Sequence, residues 1–141
     1  MHAHGDAFEP SAGDLLTRRT YSVFFEILRV LLEKDVTVVA EAAFQDPLWR
    51  EGLEPLTDLA DLRIIRCDVE PATAHRRYRD RGERGAHASI IGASVEDWAR
   101  KYESFAHLSL AEPSIDVDTT DGYSPSIDEI IEFLNRGGRD G

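Results

Sequence analysis

The sequence predicts a layered α/β fold built on a parallel sheet. Three observations carry this. Segments of helical periodicity alternate with short β-branched runs in the order helix–strand–helix–strand–helix–helix–strand–helix. Strands separated by helices pair in parallel through crossover connections. The 141 residues are enough for one domain with one core, and no apolar run is long enough to span a bilayer.

Residues 14–34 open the series. Tyr21, Phe24, Phe25, Leu28, Leu31 and Leu32 recur at three- and four-residue spacing, the pattern of a wide apolar helix face. Asp35 ends that helix. VTVVA (36–40) is a β-branched run suited to a buried parallel strand. Residues 47–60 are helical in pattern, with Leu53, Leu56, Leu59 and Ala60 as the inner face, and Pro55 is expected to kink or split them. LRIIRC (62–67) is the second strand. Pro71 stands where a first helical residue belongs, and that helix is expected to run to about Glu83. Residues 84–93 read as loop. Ser94 with Asp97 has the form of a capping box, and Val95, Trp98, Tyr102 and Phe105 continue a helical face. SIDVDTT (114–120) is the last strand. Ser126 with Glu129 repeats the capping box, and Ile127, Ile130, Ile131 and Leu134 form the inner face of a closing helix stopped by Gly137 and Gly138. The expected sheet therefore has three parallel strands, near 36–41, 62–67 and 115–119.

Charge narrows the function classes. The chain carries 27 acidic against 16 basic residues, a formal net charge of −11. A surface this acidic repels phosphate backbones and anionic lipids, so neither nucleic acid nor membrane is an expected partner. The N-terminus MHAHGDAFEP has neither the basic start nor the apolar stretch of a signal peptide, and Cys67 is the only cysteine. A cytoplasmic location is the default expectation. Cys67, on a strand, reads as a core thiol.

Against this background one stretch is anomalous. HRRYRDRGERGAH (75–87) places Arg76, Arg77, Arg79, Arg81 and Arg84 within nine residues. On a helix Arg77, Arg81 and Arg84 share one face, and convergent guanidiniums suit a polyphosphate or a transferring phosphoryl group. The competing reading is a solvated face whose arginines pair with the interleaved Asp80 and Glu83. In open α/β sheets, ligands bind beyond the carboxyl ends of the strands, which selects Glu41–Phe44, Asp68–Glu70 and Thr119–Gly122. Glu41, just past VTVVA, could act on Mg²⁺ through water or accept a proton, or could be a capping carboxylate. His2 and His4 alternate and could ligate a metal, but nothing upstream holds them, and no metal site is expected. His75, His87 and His107 are isolated and read as loop or surface residues.

Taken together, these segments resemble the small P-loop kinases of the AAA-type "predicted kinase" group, relatives of chloramphenicol phosphotransferases, over residues 4 to 135. HGDAF resembles the segment after that family's second strand, which makes Asp6 the acidic residue that meets the acceptor. VTVVAEAAF resembles its third strand, with Glu41 facing Mg²⁺ and phosphates. RIIRCDVEPATAHRRYRDR resembles the fourth strand and the lid helix, whose arginines, here Arg77 and Arg81 with Arg84 beyond them, clamp ATP. IDVDTTDGYSPSIDEIIEFL resembles the last strand, the loop beside the adenine, which contains Thr119, and the closing helix. The resemblance implies a three-layer parallel sheet of the P-loop kinase type, ATP and Mg²⁺ as cofactors, and phosphoryl transfer to a small-molecule hydroxyl. The sequence departs from the family at its most diagnostic point: it contains no G-x-x-x-x-G-K-S/T, whose amides and lysine cradle the phosphates. In the family that loop and the first strand precede the segment with which this chain begins. The expectation is a shortened kinase, inactive as it stands. The alternative is a non-catalytic ligand- or partner-binding module on a kinase-like frame, with a partner chain completing the sheet.

Overall fold

In a computed structural model, residues 15–44, 46, 48–80, 94–103 and 106–136 are described. The elements are α1 (Leu15–Leu32), α2 (Leu48–Leu53), a 3-10 turn (Glu54–Leu56), β1 (Ile64–Asp68), α3 (Pro71–Asp80), α4 (Val95–Glu103), β2 (Ser114–Asp118) and α5 (Ile127–Asn135). The fold is mixed α/β with a two-stranded parallel sheet.

The apolar stripe of α1 does what its spacing predicts. Leu28 is buried, and Tyr21, Phe24, Phe25 and Leu32 pack around it with Trp49, Leu53, Leu56 and Leu108. Asp35 ends the helix in the left-handed region, at φ 56°. Its N–H donates to the Leu32 carbonyl at 3.0 Å and that of Val36 to the Leu31 carbonyl at 3.1 Å, which closes the last turn. Pro55 splits the next helical segment as expected: α2 stops at Leu53 and continues as a 3-10 turn. Of its expected inner face, Leu53 and Leu56 are buried, whereas Leu59 is 37% exposed. Both capping boxes form. The Ser94 and Asp97 side chains exchange hydrogen bonds with each other's backbone N–H groups, and Ser126 does the same with Glu129.

Trp49 is the hub of the core. Its ring centroid lies 4.4 Å from Tyr21, 4.8 Å from Phe44, 5.3 Å from Phe24 and 5.6 Å from Phe25. Gly52, one turn along α2, is needed for this packing. A Cβ added at position 52 would lie 2.0, 2.3 and 2.4 Å from three ring carbons of Phe25, far inside van der Waals contact. Replacing glycine with alanine inside a helix ordinarily gains up to ~1 kcal/mol. Overpacking costs about 1–3 kcal/mol. Gly52→Ala is therefore expected to destabilise the fold on balance, and Phe25→Ala to remove most of the added penalty. A urea-melt double-mutant cycle measures that coupling.

Four expectations are corrected. First, residues 36–40 form no strand: the described sheet contains only β1 and β2, and segment 36–40 runs without a ladder partner. A β-branched run cannot become a strand without a neighbour to share its hydrogen bonds. The expected three-layer sheet with three strands is therefore not seen; the strands at 64–68 and 114–118 are, and in parallel. Second, Cys67 is exposed rather than in the core. Third, the strands are not buried on both faces. In register, Arg66 pairs with Asp116 and Asp68 with Asp118 on one face, Ile65 with Ile115 and Cys67 with Val117 on the other. Of these only Val117, at 1% exposure, is buried. Fourth, α5 buries none of its residues: Ile127, Ile131 and Leu134 are 49%, 50% and 44% exposed. Phe133 is half-buried, with the Arg63 guanidinium 5.9 Å above its ring.

Candidate functional site at the carboxyl ends of the strands

The two strands end together. Thr119 donates its N–H at 2.8 Å and its hydroxyl at 2.9 Å to the Asp68 carbonyl. The Glu70 N–H donates to the Thr120 hydroxyl at 2.9 Å. The turn that follows β2 returns to it: Asp118 and Ser124 exchange two backbone hydrogen bonds, at 2.8 and 2.9 Å. Gly122, at φ 80°, supplies the left-handed step of that turn. An open crevice of about 370 Å³ results, walled by Asp68, Glu70, Asp116, Asp118 and Thr120.

The crevice is acidic. Thr120 holds the Asp118 carboxyl below its ordinary pKa, first through a hydrogen bond from the side chain and then from the backbone N–H. Asp116 is met by the Arg66 guanidinium, whose Nε and Nη2 donate at 2.5 and 3.2 Å. Asp68 has His107 Nε2 at 3.6 Å. The loop carrying His107 is pinned on both sides: the Asp46 N–H donates to the Ala106 carbonyl at 3.0 Å, and the Ser109 N–H donates to the Asp46 carboxylate at 3.1 Å. Sequence reading missed this pairing because residues 39 positions apart meet only through the fold; the position of Asp68 just beyond a strand was the available signal.

The expected site residues have separate fates. Arg77 projects from α3 onto the end of β2, where one Nη donates to the Thr119 carbonyl at 2.6 Å and to the Thr120 carbonyl at 3.1 Å. It is half-buried, while Arg76 and Arg79 are exposed. Thr119 is engaged with Asp68 as described. Glu41 is exposed beyond segment 36–40. Asp6, Arg81, Arg84, His2 and His4 lie outside the described residues. Among the described residues no three or more His, Cys, Asp or Glu side chains are grouped to hold a metal ion. No described helix is long and apolar enough to cross a membrane. No protein-family model, curated protein or solved structure matches this chain.

Proposed function

We propose that this chain is a P-loop small-molecule-kinase-like domain, carrying the lid and acceptor side of an ATP-dependent phosphotransferase without the nucleotide cradle. The observation that supports it is the placement of Arg77. A helix entered directly from β1 sets an arginine over the carboxyl end of the neighbouring parallel strand, where α/β enzymes bind their ligands. Arg81 and Arg84 follow it in sequence. ATP with Mg²⁺ would be the phosphoryl donor and a small-molecule hydroxyl the acceptor, with Asp6 and Glu41 as the acidic residues near the reacting groups.

In such enzymes the glycine-rich loop and its lysine position the phosphates, and arginines stabilise charge that is already in place. These 141 residues contain no such loop, so the chain by itself turns nothing over. The acidic crevice also repels a bare polyphosphate. A second reading, a non-catalytic ligand- or partner-binding module on the same frame, is favoured by the engagement of Arg77 with two carbonyls.

Calorimetric titration of the 141-residue chain with Mg·ATP tests the proposal. The expected result is weak binding that fades as salt rises, because exposed charges are screened beyond a Debye length of about 8 Å at physiological ionic strength. Micromolar, salt-insensitive binding would show that the cradle is dispensable. Complete absence of binding to Mg·ATP and to pyrophosphate at low salt would leave the non-catalytic reading.

A further inference from the structure

We draw no further inference here: the strongest candidate, the acidic crevice beyond the carboxyl ends of β1 and β2 walled by Asp68, Glu70, Asp116 and Asp118, belongs to the site already described, and no second observation among the described residues points to a ligand for its carboxylates.

Discussion

Trp49→Ala is expected to cost the chain a large share of its stability. Removing a buried large aromatic costs about 3–5 kcal/mol, and whole domains are stable by only about 5–15 kcal/mol. Here the loss falls at the upper end. Trp49 is 6% exposed and contacts four other aromatic rings, each set edge-on or tilted against it. Such pairs add about 0.5–1.5 kcal/mol beyond the area they bury. The cluster also joins α1 to α2 and to Phe44, so it cannot collapse around the void without moving a helix. Outside the core that Trp49 shares with Leu28, Leu53, Leu56 and Leu108, few residues are buried to compensate: among those described, Ala74, Val117 and Thr73. Equilibrium urea unfolding followed by far-ultraviolet circular dichroism measures the effect. Trp49→Phe, which keeps a ring in place, should lose markedly less. A loss below about 1 kcal/mol for Trp49→Ala would mean that the aromatic cluster does not form.

That cluster was partly legible in the sequence, and its legible part is local. The three- and four-residue spacing in α1 named Tyr21, Phe24, Phe25 and Leu28 correctly because helix geometry alone brings those positions together. Both capping boxes were legible for the same reason: Ser94 with Asp97 and Ser126 with Glu129 act over three residues. The strands at 64–68 and 114–118 were found to within two residues. What failed depends on partners distant in sequence. VTVVA has the composition of a strand, but a strand exists only where another supplies its ladder, and none of the described residues does so. Ile127, Ile131 and Leu134 have the spacing of a buried face, yet spacing does not provide a surface to bury it against. Arg77 reaches the carboxyl end of β2. Its engagement with two carbonyls could not be foreseen, because Thr119 and Thr120 lie 42 and 43 positions away.

That engagement makes Arg77→Ala the second large effect. A phosphate clamp and a structural tether predict different outcomes for it. As a tether, Arg77 gives a charge-assisted hydrogen bond to the Thr119 carbonyl and a longer one to Thr120, from a half-buried position. Hydrogen bonds to charged groups contribute about 1.5–3 kcal/mol, and the half-buried carbonyls left behind would have to find water instead. The two carbonyls sit where β1, β2 and the turn before Gly122 are tied together, so the damage should extend to the β1–β2 ladder. The expected result is a stability loss of about 2–3 kcal/mol in Arg77→Ala, with faster amide exchange at Thr119 and at residues 64–68. Arg77→Lys should recover only part of it, since an ammonium lacks the planar fork. Weak pyrophosphate binding, measured on protein that is still folded, should fall no further than in Arg76→Ala or Arg79→Ala. A clamp would show the reverse: near-normal stability in Arg77→Ala, with binding lost selectively there and retained in Arg76→Ala. If the reverse pattern is found, the guanidinium must leave the Thr119 and Thr120 carbonyls when an anion arrives, and Arg77 itself takes part in binding.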